Sequence, residues 1–357
     1  MKKINLIGFI VIVLVIVVIG GGLFLFFKLN KKPQVVIKNK NILVGFSITT
    51  LQEERWQKDK AEFLKEADKM GVSVDLQIAQ NDASKQISQI DSMIVNGEDI
   101  IVVVPYKADA LTDVIDRAHK AGIKVISYDR LIQNANTDLY VSFDNEKVGE
   151  YQAQYVMDAV KDKMDQGNKI KVAYVGGSPT DNNSSLLKQG SFKVLQPLID
   201  SGKIQMVSDS FTVDWNPDNA YKNMKDYLSK NKAQVDAVVA ANDGTAFGVI
   251  SALKEYGLDG KIPVSGQDAE LAAIQRIIDK TQTVSVYKPI SKLASTAVDL
   301  AINLVEGIPV KMTKTINDGK FEIPAVLLDP VAVTLANIDA TVIKDGFYTK
   351  DQVYKKN

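Results

Sequence analysis

The sequence predicts a doubly wound α/β protein, two open parallel sheets in one chain, preceded by an N-terminal transmembrane helix. Three observations carry that expectation. Short β-branched runs alternate with helical patterns, many of which stop at a glycine. The chain has 357 residues, and beyond about 250–300 residues a single hydrophobic core tends to split. Its first 32 residues hold a stretch without charge that is long enough to cross a bilayer.

That stretch, Leu6 to Phe27, is 22 residues long and is framed by Lys2, Lys3, Lys28, Lys31 and Lys32. A spanning helix needs about 20 apolar residues, whereas the apolar part of a secretory signal has about 7–15 and ends in small residues. Here the exit reads Phe26-Phe27-Lys28-Leu29-Asn30, with no Ala-x-Ala pattern, and there is no cysteine for a lipid anchor. Residues 1–32 are therefore expected to be an uncleaved membrane anchor, and 33–40 a polar linker. Cleavage near Gly20-Gly21-Gly22 is the alternative. Lysines on both sides leave the orientation open.

The body follows in order. Ile42–Phe46 is an apolar strand, and a helix over about 53–70 stops at Gly71. Val72–Ile78 leads to a helix ending at Asn96-Gly97, then Ile100–Val104, a helix to Gly122, and Lys124–Tyr128. The pattern resumes at Ile170–Val175, Val235–Ala240, Val264 and Val284–Tyr287. Near-continuous apolar strands separated by helices are the mark of buried parallel strands, and glycine is the expected left-handed helix cap.

Ligands of such sheets bind beyond the carboxyl ends of the strands. Reading those positions gives Asp129 and Arg130; Asp181, Asn182 and Asn183; Asn242 and Asp243; Gln267 and Asp268; and Lys288, with Trp56 and Trp215 on the same rim. Planar amides, carboxylates and guanidinium groups each engage two neighbouring hydroxyls, and an indole covers an apolar ring face. Arg55, Arg130 and Lys288 are offset by Asp129, Asp181 and Asp268, so the expected pocket is neutral. Singly, each residue has a plainer role: Asp and Asn cap helices and make turns, and Trp56 fills a core. Coincidence at five strand ends favours binding.

Other chemistries are thin. The chain has one histidine and no cysteine, which excludes Cys-based and His₃ metal sites and thiol nucleophiles. His119 sits at the end of a predicted helix, where it complements the helix dipole, and no catalytic partner is evident. No P-loop occurs, and Gly176-Gly177-Ser178 lacks dinucleotide spacing, so no cofactor is expected. Five of the 43 basic residues and none of the 43 acidic ones lie in 1–32, leaving 38 against 43, a formal charge of −5. Such a body is not expected to bind nucleic acid. Asp181 and Asp268 are the one conceivable glycosidase pair, but basic neighbours hold both ionised. The expectation is a binding protein, not an enzyme.

The residues from Leu51-Gln52-Glu53-Glu54-Arg55-Trp56-Gln57-Lys58-Asp59 resemble the bacterial D-xylose-binding proteins of the type I periplasmic sugar-binding family. The resemblance continues through Tyr128-Asp129-Arg130, Ser142-Phe143-Asp144-Asn145, Gly176 to Asn183, Asn242-Asp243, Ser265-Gly266-Gln267-Asp268 and Tyr287-Lys288-Pro289. It covers essentially all of 41–348. It implies a sugar held between two lobes: hydrogen bonds from Arg55, Asp129, Arg130, Asp181, Asn183, Asn242, Asp268 and Lys288, and ring packing by Trp56 and Trp215. It also implies D-xylose or a similar neutral monosaccharide as ligand.

On that reading three hinge segments join an N-terminal lobe (41–146 plus about 289–322) to a C-terminal lobe (147–288 plus about 323–357). The usual partner is the permease of an ABC sugar importer. A membrane-tethered binder could equally report to a sensor histidine kinase or chemoreceptor. The expected place is the cell membrane, crossed once, with the binding domain on the extracellular side. A sugar-responsive repressor shares the fold but needs an N-terminal helix-turn-helix where this chain has its apolar run.

Overall fold

The computed structural model describes residues 41–354. The expected anchor (1–32) and linker (33–40) lie outside the described residues, and among those described no helix is long and apolar enough to cross a membrane.

The elements run β1 (Leu43–Ile48), α1 (Glu54–Lys69), β2 (Ser73–Ile78), α2 (Ala83–Asn96), β3 (Ile100–Val103), α3 (Thr112–Lys120), β4 (Lys124–Tyr128) and β5 (Leu139–Phe143). After α4 (Asn145–Ala159) and α5 (Lys161–Asp165) come β6 (Ile170–Val175), α6 (Asn182–Asp200), β7 (Ile204–Ser210), α7 (Pro217–Lys230), β8 (Ala237–Ala240), α8 (Asp243–Glu255), β9 (Ser265–Gln267), α9 (Leu271–Ile278) and β10 (Val284–Tyr287). The chain continues with α10 (Ile290–Glu306), β11 (Lys314–Asn317), β12 (Glu322–Leu328), β13 (Val331–Val333) and α11 (Lys350–Tyr354).

Two sheets repeat one plan. The first has the order β11-β12-β5-β4-β3-β1-β2, parallel except at β11. The second runs β7-β6-β8, then β9-β10-β13, the two halves joined by a parallel bridge between Val238 and Val264. Strand order reverses beside β1 in one and beside β6 in the other, which makes each a switch-point sheet whose strand ends open a crevice. The helices follow the glycine signals: Gly97 (φ 78°) and Gly307 (φ 70°) cap α2 and α10 in the left-handed conformation. Apolar clusters cover both faces of each sheet, with Phe46, Phe63 and Tyr128 packed ring against ring on one face of the first.

The chain passes between the sheets at Asp144, at Lys288–Pro289 and at Asp329–Pro330. The last crossing shifts the approximate boundary near 322 a few residues along the chain. Glu322–Leu328 pairs in parallel with β5 and so stays with the first sheet, and only β13 joins the second. Pro324 hid this strand, because proline lacks the N–H a ladder needs.

Candidate functional site

Two acids stand at equivalent places. Asp129 follows β4 and Asp268 follows β9, both with left-handed backbones (φ 58° and 89°) that Asp tolerates better than most residues. Each is tied to the neighbouring strand: the Asp129 N–H donates to Val141 O (2.8 Å) and the Asp268 N–H to Val286 O (2.9 Å). Arg55, in the first turn of α1, joins them. Its Nη2 donates to Asp129 Oδ2 (2.9 Å), its Nη1 to Asp268 Oδ1 (3.1 Å) and its Nε to Asp59 Oδ2 (3.2 Å). One guanidinium therefore links the ends of both sheets.

A second link runs beside it. Arg130 Nε lies 2.7 Å from Asp181 Oδ2, which also accepts from Trp215 Nε1 (3.1 Å). Asp181 caps α6, its other oxygen receiving the Asn183 N–H (2.9 Å). Asn183 Nδ2 reaches back to Asp129 O (3.1 Å), and Asn145 Nδ2 donates to Asn183 Oδ1 (3.0 Å). Outside this centre Tyr106 Oη donates to Asp214 Oδ1 (3.1 Å), the Ala108 N–H to Thr180 O (3.2 Å) and Gln133 Nε2 to Asn182 Oδ1 (3.0 Å). The rims of the two sheets touch, so this is a closed arrangement.

The ten residues expected to contact the sugar all line one cavity between the sheets: Arg55, Trp56, Asp129, Arg130, Asp181, Asn183, Trp215, Asn242, Asp268 and Lys288; of the other strand-end residues, Asn182 and Asp243 do not. Several also do the plainer job. Asn242 caps α8 by accepting the Thr245 N–H (2.8 Å), and Trp56, 1% exposed, belongs to the core of the first sheet. Trp56 Nε1 donates to Glu53, and the Arg55 and Arg130 guanidinium carbons lie 4.3 and 5.0 Å from its ring centroid. Gly177 is required by the other indole, since a Cβ there would stand 2.1 Å from Trp215 Cη2. Asp243 turns away from the cavity to Gln282 and Ser285 (2.7 Å each). His119 is remote from it, its Nε2 2.9 Å from Asp138 Oδ2, which also receives the Val125 N–H.

Two further residues line the cavity: Glu53, which the sequence reading missed, and Gln267, which was read as a strand-end position but is not among the ten sugar contacts that the resemblance implies. Glu53 was legible as an acid three residues before Trp56, at a helix start. Gln267 is the last residue of β9, directly before Asp268. Glu53 corrects the neutral count: the lining holds four acids and three bases.

Burial and pairing set the charges. Burial alone would raise the Asp129 carboxyl, but Arg55, then Lys288 and Arg130, hold it below the ordinary value. Burial opposes the charge on Arg55, yet Asp129, Asp59 and Asp268 keep its pKa well above normal. Burial pushes Asp59 up to about 6 against Arg55, and lowers Lys288 against Asp129, 4.0 Å away. Burial likewise raises Glu53 against Arg130. With Asp181 and Asp268 each paired to an arginine, neither is a free general acid. The wall instead offers both donors and acceptors, as a polyhydroxylated ligand needs, and an anion would meet an acid surplus.

Two switch-point sheets closed over a shared polar cavity define a ligand-clasping receptor. The sequence matches the family described as periplasmic binding protein domain over residues 44–309. It is 49% identical over 316 residues to the D-xylose-binding periplasmic protein of Haemophilus influenzae, covering 88% of this chain and 93% of that one. The corresponding Escherichia coli protein is 46% identical over 314 residues, with the same coverage. A solved ABC-transporter solute-binding protein from Clostridium phytofermentans, with bound β-D-glucose, is 32% identical with a TM-score of 0.80, over 87% of this chain and 99% of that one. The chain belongs to the periplasmic binding protein family, and it is a binding protein rather than an enzyme. The likeness to D-xylose binders read from its motifs is borne out across the body.

Proposed function

We propose that this chain is a receptor for D-xylose or a close aldopyranose, which closes on the sugar and presents it to the permease of an ABC importer. The observation that carries the reading is Arg55: one buried guanidinium holds Asp129 at the first sheet and Asp268 at the second. A small ligand inserted there touches both lobes at once, and only such a ligand has the differential affinity that drives closure. The relatives named for D-xylose at 46–49% identity support the choice of sugar. Calorimetry of the full chain in mild detergent tests it. D-xylose is expected to bind at one site, and sugar phosphates and sugar acids to give no heat. Equal affinity for xylose and xylonate overturns the reading.

The same proposal tethers the receptor by Leu6–Phe27, with the lobes outside the cytoplasm. The full-length protein is expected to sediment with membranes and to resist extraction by high salt, and a soluble form starting after residue 20 overturns the tether. Sugar-loaded receptor is expected to stimulate the importer's ATPase. Xylose-dependent phosphorylation of a sensor kinase instead reassigns the partner.

A further inference from the structure

Among the described cavity-lining side chains, Gln267 and Lys288 stand apart. Arg55, Arg130, Asp181, Asn183 and both tryptophans each hold a hydrogen-bond partner in the protein. Gln267 is 4% exposed and its Oε1 has no partner. Lys288 is 2% exposed, and its shortest approach to a carboxylate oxygen is 4.0 Å, beyond hydrogen-bonding reach. An unpaired buried carboxamide is costly in a folded protein, so its persistence at a cavity wall points to a group supplied from outside.

Register brings the two together. Gln267 stands opposite Val286 in the parallel β9–β10 pair, and Lys288 lies two residues further on. Adjacent strands are about 4.8 Å apart. Side chains alternate along β9, and a Cβ on Gly266 would meet Asp243 and Gln282 at 2.0 and 2.4 Å. Gln267 therefore faces the other side of the sheet, away from that cluster.

We infer that Gln267 is a specificity-determining contact: its carboxamide oxygen accepts a hydrogen bond from one ring hydroxyl of the sugar, and the Lys288 ammonium donates to the same hydroxyl. This rests on the sugar reading above. Only a hydroxyl satisfies both sides. A carbonyl or fluorine at that carbon has no hydrogen to give Gln267, and an ammonium has no lone pair for Lys288. The position is then read strictly, because an analogue lacking the hydroxyl leaves two buried groups unpaired.

The test uses the full chain in detergent, with D-xylose and its four monodeoxy analogues, on wild type, Gln267→Met and Gln267→Glu. Methionine keeps the length and removes the acceptor. It is expected to weaken xylose binding about 10- to 100-fold, while one analogue binds variant and wild type equally because its contact is already gone. The sugar-free Gln267→Met protein is expected to melt no lower than wild type. Unchanged xylose affinity overturns the inference, and so does an equal loss on all four analogues, which signals packing alone. Should the methionine variant not fold, Gln267→Glu decides: it keeps an acceptor and must keep discriminating against the same analogue, and lost discrimination overturns the inference. Wild type that binds no sugar removes the sugar reading itself, whereas wild type that binds xylose with a fully active methionine variant removes only Gln267.

Discussion

Replacing Asp268 by asparagine separates a binding role from a structural one. Alanine is the wrong choice here, because at φ 89° it adds backbone strain that asparagine largely avoids. In the closed arrangement Asp268 accepts from Arg55 Nη1 at 3.1 Å, with both side chains 5% exposed. Asparagine removes the charge at that contact. Arg55 keeps Asp59 and Asp129 on its own side, so the first lobe is left with a neutralised guanidinium. A hydrogen bond to a charged group is worth about 1.5–3 kcal/mol, which corresponds to xylose binding weaker by roughly 10- to 150-fold. Calorimetry measures that loss, and a sugar-free thermal melt measures the cost to the fold. On the proposed closing mechanism the empty site opens to water, so the melt is expected to stay within about 3 °C, the shift that roughly 1 kcal/mol produces at this size. Binding within twofold of wild type places Asp268 outside the site. A large fall in the sugar-free melt makes it a structural residue.

Three further outcomes follow from the geometry. Gly177→Ala drives a Cβ into the Trp215 ring; it is expected to cost about 1–3 kcal/mol and to shift indole fluorescence, and an unchanged spectrum and melt refute the packing. Tyr106→Phe removes the rim contact to Asp214 and is expected to weaken xylose binding about 2- to 10-fold without changing the sugar-free melt; unchanged affinity refutes a rim contribution to closure. Burial, then Asp243, Asp268 and Glu54, push the Glu270 carboxyl up to about 8 against Arg276. The folded chain then keeps a proton that the unfolded chain loses near pH 4.3, so this group lowers stability as pH climbs from there through 8. Glu270→Gln is expected to raise the melting temperature more at pH 8 than at pH 5, and an equal effect at both refutes the shift.

Much of the fold is legible in the sequence because buried parallel strands are continuous apolar runs. Lys124–Tyr128, Ile170–Val175 and Val284–Tyr287 fall as read. The strands that escaped are those whose pattern is diluted. β7 is a sheet edge carrying Gln205, Ser208 and Asp209, and β12 contains Pro324. Seven of the ten expected contacts were legible from two facts together, position after a strand and polar type, whereas Arg55, Trp56 and Trp215 came from residue type at helix starts and from the family resemblance. Glu53 escaped because an acid at a helix start reads as an ordinary cap, and its place beside Trp56 and Arg130 depends on how α1 is aimed. The pairing across the cleft was also out of reach. That Arg55 meets Asp268, 213 residues away, depends on the closure of two sheets, and no local pattern records it.

The most direct test of the central claim is a crystal structure of the chain with D-xylose. One pyranose is expected in the cavity, hydrogen-bonded at once to Arg55 or Asp129 of the first lobe and to Asn183 or Asp268 of the second, with Lys288 against it at the hinge. A sugar bound outside this cavity, or held by residues of one lobe alone, contradicts the account.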